Sequence, residues 1–186
     1  MYVFEDLLKL IKLNDAGYDV GKIQRAYEIA EKAHQGQLRK SGEPYISHPI
    51  AVAMILVDLG MDTDSVVAAL LHDVVEDTQV EIEAIRKEFG EETAQLVDGM
   101  TKLGKIPFSS REEQQAENIR KMLIAMAQDV RVIIIKLADR LHNMRTAEFW
   151  DEQKARDKAL ETMEVYAPIA HRLGIRAIKE ELEDIS

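Results

Sequence analysis

Apolar side chains recur along the chain at steps of three and four, as in Val20, Ile23, Tyr27 and Ala30, a spacing that buries one face of a helix and leaves the other wet. The pattern predicts helices near 3–13, 20–35, 48–59, 63–77, 79–89, 91–103, 111–128, 130–149, 152–172 and 175–185, and no strand. Gly60, Gly90 and Gly174 are expected stops. Thr78 with Glu81 and Ser110 with Glu113 have capping-box spacing, in which side chains satisfy free backbone N–H groups at a helix start. Two loops interrupt the pattern: 36–47, which carries Arg39, Lys40, Gly42 and Pro44, and 104–110, expected to be the more mobile. With no internal repeat and no shift in composition, the expected fold is all-α, a single compact multi-helix bundle forming one domain over 1–186.

Composition narrows the function. The 34 acidic and 24 basic side chains give a formal charge of −10, which opposes general adhesion to nucleic acid, so any anionic ligand needs a local site. The longest apolar run, from Ile50 to Val57, is far short of the roughly 20 residues of a spanning helix, and Glu5 and Asp6 break the N-terminal apolar stretch that a signal peptide would need. There is no cysteine, hence no disulfide and no thiolate metal site. The expectation is a soluble, cytoplasmic protein without direct nucleic-acid or membrane binding.

The strongest local chemistry is His72-Asp73-Val74-Val75-Glu76-Asp77, which follows the wholly apolar Val66 to Leu71. On one continuous helix His72 and Glu76 lie at i,i+4, as do Asp73 and Asp77, making two adjacent columns of ionisable groups. Such groups need water or a cation, and a solvated helix end is the plain alternative. Asp139 follows the segment from Val132 to Ala138, apolar on nearly every side, where a carboxylate is costly unless coordinated or paired with an arginine. His48 precedes Pro49 at a predicted helix start and can serve equally as a hydrogen-bonding terminal residue. Together His48, His72, Asp73 and Asp139 are a nitrogen and oxygen donor set that suits Mn²⁺ or Fe²⁺, though Zn²⁺ would bind too. Such a site lowers the pKa of bound water and is hydrolytic in character.

These residues resemble the HD-domain metal phosphohydrolases, whose pattern is one His, a His-Asp pair and a distant Asp. The likeness is closer to the hydrolase domain of the RelA/SpoT homologue family, which degrades the alarmones ppGpp and pppGpp. It runs through Arg39-Lys40-Ser41-Gly42-Glu43-Pro44-Tyr45-Ile46, His48-Pro49, His72 to Asp77, Val97 to Leu103, Asn118 to Leu123 and Lys136 to Thr146. The resemblance implies His48, His72, Asp73 and Asp139 as ligands of one Mn²⁺ per chain, with Glu76 and Asp77 orienting or deprotonating the attacking water. It implies Arg39, Lys40 and Ser41 as nucleotide contacts, with Arg39 stacking on guanine and Lys40 meeting phosphate, and Asn143 and Thr146 facing ribose and base. The implied activity is a (p)ppGpp 3′-pyrophosphohydrolase, and both the His72-Asp73 and the Glu76-Asp77 pairs are intact.

In long members of that family the segment resembling Glu180 to Ser186 leads into a (p)ppGpp synthetase domain, so the resemblance suggests an N-terminal piece of a bifunctional enzyme with that domain as partner. Two other readings remain open at this point: an HD phosphohydrolase acting on another nucleotide, and a non-catalytic alarmone-binding regulatory module. His34 and His171, in last helical turns, are expected to be structural. His142, three residues after Asp139, is either a support for that carboxylate or a surface residue. Met122 and Met126 are expected core.

Overall fold

The computed structural model describes residues 2–14, 17–104, 116, 120, 122–124 and 128–186. The helix predicted at 111–128 falls mostly outside them, as do the Ser110–Glu113 cap, Met126 and the loop beyond Gly104. The chain divides into two compact units, Met1–Gly104 and Lys105–Ser186. Every regular element among the described residues is helical, with one isolated antiparallel bridge between Leu38 and Pro44.

The first unit contains α1 (Phe4–Asn14), α2 (Val20–Ala33), α3 (Ser47–Asp58), α4 (Thr63–Leu71), α5 (Val74–Asp77), α6 (Ile82–Phe89) and α7 (Glu91–Gly104). Helix α4 is its centre. The run from Val66 to Leu71 is completely buried, and α2, α3 and α7 all pack against it. A helix apolar on every side has to be enclosed in this way, because it has no face to offer to water. Helix α2 buries Ile23, Ala26 and Ala30 as a narrower stripe, whereas Val20, expected on that stripe, is exposed at the first turn.

Two expectations for this unit need correction. The predicted helix 63–77 is broken at His72 and Asp73, which stand as a turn between α4 and α5. Thr78 does not open α6: its hydroxyl donates back to Val74 O at 2.5 Å and so closes α5, and Glu81 precedes the first residue of α6. A four-residue helix leaves its last carbonyls close at hand, and a threonine hydroxyl reaches the i−4 carbonyl more readily than an N–H three residues ahead. Helix starts are instead marked by aspartates. Asp19 accepts from Lys22 N and Asp62 from Ser65 N. All three expected stops hold as glycines with positive φ, among them Gly90, which follows α6 at φ +92 and donates to Arg86 O.

The second unit contains α8 (Val130–Arg145), a 3₁₀ turn (Ala147–Phe149), α9 (Glu152–Glu161), a π-helical segment (Thr162–Tyr166), α10 (Ala167–Arg172) and α11 (Arg176–Ile185). Aspartates again supply the caps, Asp129 to Arg131 N and Asp151 to Lys154 N. The predicted helix 130–149 therefore ends at Arg145, where the Thr146 hydroxyl donates to the His142 and Asn143 carbonyls. The predicted helix 152–172 is interrupted by the π-helical turn, whose Val165 and Tyr166 are buried. Helix α8 packs on α11 and on the π-helical segment. No helix among the described residues is long and apolar enough to cross a membrane.

Candidate metal centre

In the first unit, His48 is at the start of α3 and His72 just past the end of α4, both buried, and their rings meet edge to face with centroids 5.4 Å apart. Both Nε2 atoms turn toward one carboxylate oxygen. Asp73 Oδ2 is 3.0 Å from His72 Nε2 and 3.9 Å from His48 Nε2. The break in the helix explains the orientation of His72. In an uninterrupted helix the Ala69 carbonyl accepts from the N–H of residue 73; here it is engaged by His72 Nδ1 at 2.6 Å.

That contact also fixes the chemistry of the ring. A carbonyl only accepts, so Nδ1 carries a proton, and in the neutral ring Nε2 keeps its lone pair. An imidazole lone pair and a carboxylate oxygen 3.0 Å apart repel unless a cation lies between them. The donor set therefore fits a divalent ion, with the Ala69 carbonyl in the orienting role that metal-binding histidines commonly require. Of the predicted ligands, the first unit brings three together: His48, His72 and Asp73.

Glu76 and Asp77, the predicted acidic pair, are exposed on α5. Because the helix breaks before Asp73, the expected His72–Glu76 column is not that of a continuous helix, while the turn from Asp73 to Asp77 survives, with Asp77 N donating to Asp73 O at 2.8 Å. Sequence reasoning assigned no role to Tyr45. Its hydroxyl lies 2.6 Å from Asp73 Oδ2 and 3.2 Å from Asp77 Oδ2, and its ring stacks on His34 at 4.5 Å between centroids. The only sequence signal for it was its place at the end of the motif that begins at Arg39. His34 proves to be the residue following α2, buried, with Nδ1 against Gln37 Oε1, so its structural role rests on packing and not on the helix dipole.

The loop before α3 is a tight turn. Arg39 N donates to Glu43 O, Gly42 N to Arg39 O and Tyr45 N to Gln37 O, and Gly42 takes φ +83, which a side chain would strain. The turn carries Arg39, Lys40 and Ser41 at its tip and sends Tyr45 back to Asp73 at its base; Lys40 is exposed, Arg39 and Ser41 half-buried.

In the second unit, Asp139 is buried on α8. Its Oδ2 accepts from Lys136 Nζ and its Oδ1 from Asn143 Nδ2, each at 2.7 Å. The arginine pairing considered for it is thus a lysine one. Burial opposes the Lys136 ammonium, but the Asp139 carboxylate beside it, together with Tyr166, outweighs this and raises its pKa. The neighbouring Arg140 is buried with its guanidinium 4.2 Å from the Tyr166 ring centroid and 2.9 Å from Glu161 Oε2, which Lys158 also contacts at 2.9 Å. Asn143 and Thr146 are expected to face the nucleotide; Asn143 donates to Asp139 within α8, and Thr146, the residue after that helix, donates to the His142 and Asn143 carbonyls. His142 is buried, so the surface alternative for it falls. His171 is exposed in the last turn of α10, as expected, and Met122 is buried.

The chain is similar to several known proteins. The chain is 53% identical over 187 residues to a GTP pyrophosphokinase of Streptomyces coelicolor, covering 99% of itself and 22% of that protein. It is 51% identical over 185 residues to the bifunctional (p)ppGpp synthase/hydrolase SpoT of Escherichia coli, covering 100% of itself and 26% of that protein. The chain thus spans about a quarter of the length of these curated relatives. A solved structure of a metazoan ortholog of SpoT, described as hydrolyzing ppGpp, matches with a TM-score of 0.69 and 28% identity, over 88% of this chain and 93% of its own. The family model described as an HD domain matches residues 26–176, and the chain belongs to the HD-domain family.

Proposed function

We propose that the chain is a metal-dependent (p)ppGpp 3′-pyrophosphohydrolase, a cytoplasmic enzyme that converts ppGpp or pppGpp to GDP or GTP plus pyrophosphate. The observation that carries this reading is the convergence of two imidazole Nε2 atoms on Asp73 Oδ2. The names of the relatives supply the substrate class. The synthase and pyrophosphokinase activities in those names support a neighbouring synthetase domain as partner.

His48, His72 and Asp73 would hold one Mn²⁺, with Asp139 as the fourth ligand on the strength of the family pattern. When bound, such an ion supplies Lewis acidity, lowering the pKa of water and drawing charge from a phosphoryl oxygen. The chain's own groups do the rest. Glu76 and Asp77, exposed on α5, hold the attacking water and accept its proton. The water oxygen bonds to the phosphorus carried by the ribose 3′ oxygen as the bond between them breaks. Pyrophosphate departs and a proton passes to the ribose oxygen. Arg39 stacks on guanine through its planar guanidinium, Lys40 and Ser41 meet phosphate oxygens, and Asn143 and Thr146 face ribose and base.

The test is direct. Purified protein incubated with Mn²⁺ and ppGpp should yield GDP and pyrophosphate in equal amounts, and elemental analysis should find about one divalent ion per chain. Bound metal without product would remove the substrate assignment. Hydrolysis of another nucleotide in preference would redirect it.

A further inference from the structure

We infer that Tyr45 is a positioning residue that locks the candidate metal ligand Asp73 to the acidic-pair member Asp77 through one hydroxyl. The inference rests on the metal-centre reading above and deepens it. A phenol has one proton to donate, yet its oxygen lies within hydrogen-bond reach of two carboxylates from successive turns, Asp73 at 2.6 Å and Asp77 at 3.2 Å. The stronger bond falls on Oδ2, the very atom that faces the His48 and His72 nitrogens. That hydrogen bond fixes Oδ2 on the side of the two imidazole nitrogens. Tyr45 thus holds Asp73 in the rotamer that a metal ion needs.

The tyrosine is itself held from both ends. Its ring stacks on buried His34 and approaches His48 edge-on at 6.2 Å between centroids, and its backbone N–H donates to Gln37 O at the base of the Arg39–Ser41 turn. The turn proposed to contact nucleotide and the carboxylates proposed to manage metal and water are therefore joined through a single side chain.

The test is Tyr45→Phe, which keeps the ring and its stacking and removes only the hydroxyl. Mn²⁺ affinity, measured without nucleotide by competition with a chelating dye, should fall about tenfold or more, the usual effect of removing a group that supports a metal ligand. In turnover assays kcat should fall while KM for ppGpp stays within about twofold, because the turn keeps its backbone bonds. Wild-type affinity in the variant overturns the inference, as does a loss confined to KM. In wild-type protein labelled at tyrosine Cζ, the Tyr45 resonance should move as Zn²⁺ is added, and an unmoved resonance at saturation also overturns it; this arm does not require the variant to fold. Failure of the substrate reading looks different: the wild type binds Mn²⁺ and Tyr45→Phe weakens it, but ppGpp stays intact. A wild type with no divalent affinity overturns both.

Discussion

Replacing Arg140 with methionine should destabilise the second unit by about 2–4 kcal/mol. The guanidinium is buried, 2.9 Å from Glu161 Oε2 and 4.2 Å from the centre of the Tyr166 ring. The charge-assisted hydrogen bond is worth roughly 1.5–3 kcal/mol and a desolvated cation–π contact roughly 1–2 kcal/mol. Methionine occupies the volume of the aliphatic stem, so the cavity contribution is small. Breaking a buried pair commonly costs about 3–5 kcal/mol because the abandoned charge has no partner, but here Glu161 retains Lys158 at 2.9 Å, which brings the loss to the lower end of that range or beneath it. Urea unfolding followed by circular dichroism, with chelator present so that metal linkage does not contribute, measures the cost. In a thermal scan the same loss corresponds to a fall of about 4–16 °C. Lys158→Met, which removes the more exposed partner, should cost under about 1 kcal/mol. A double-mutant cycle of Arg140→Met with Glu161→Gln should return a coupling above about 1 kcal/mol. Coupling near zero, or Lys158→Met costing as much as Arg140→Met, would refute the idea that the buried guanidinium ties α8 to the π-helical segment.

The remaining expectations concern the site and its surroundings. Asp139→Ala should abolish retention of the divalent ion in elemental analysis, and unchanged metal content in a folded variant would remove Asp139 from the ligand set. Glu76→Gln should leave metal and nucleotide binding intact while lowering turnover by about 10²–10⁴, the usual worth of a general base; near-normal turnover would move that role to Asp77. Arg39→Ala should weaken ppGpp binding by about ten- to hundredfold in calorimetry with metal content unchanged, and Arg39→Lys should recover little, since an ammonium has no plane to stack. Burial pushes the Glu161 carboxyl up, but the Arg140 charge and the Lys158 hydrogen bond prevail and hold its pKa below the ordinary 4.5. A depressed folded pKa stabilises above the unfolded value, so the stability advantage of wild type over Glu161→Gln should be full at pH 7, shrink as pH falls below about 4.5 and vanish beneath the folded pKa. An advantage that persists unchanged at pH 3 would contradict this.

Much of the fold was legible because burial leaves its mark on composition. Val66 to Leu71 offers no polar face, so a central buried helix was its natural reading, and α4 is that helix. Helix starts were less legible because the Ser/Thr-x-x-Glu pattern was weighted over bare aspartates. Asp19, Asp62, Asp129 and Asp151 do the capping with one carboxylate each and need no distant partner in the sequence. The break at His72 had no local signal at all. Nothing in Leu71-His72-Asp73-Val74 disfavours a helix strongly, and the bend accompanies a ring-to-carbonyl bond that only the folded backbone reveals. For the site, residue types were readable because buried His and Asp are rare without a reason. Their supports were not: Tyr45 is 28 residues from Asp73, and Lys136 is an ordinary helical lysine until its partner is known.

The π-helical turn from Thr162 to Tyr166 makes chain length itself a constraint. In an α-helix two residues five apart point about 140° away from each other, so Glu161 and Tyr166 could not both address one guanidinium. The wider turn accommodates one additional residue per revolution and brings the carboxylate and the phenol ring onto the same side, around Arg140. Side chains facing outward there, such as Met163 and Glu164, are free to vary, since swapping them leaves the count unchanged. Deleting any single residue would return the segment to α geometry and turn either the acid or the ring away from Arg140. Tolerance of substitution and intolerance of deletion within the same five residues is what an insertion retained for its phase, and not for its side chain, would look like.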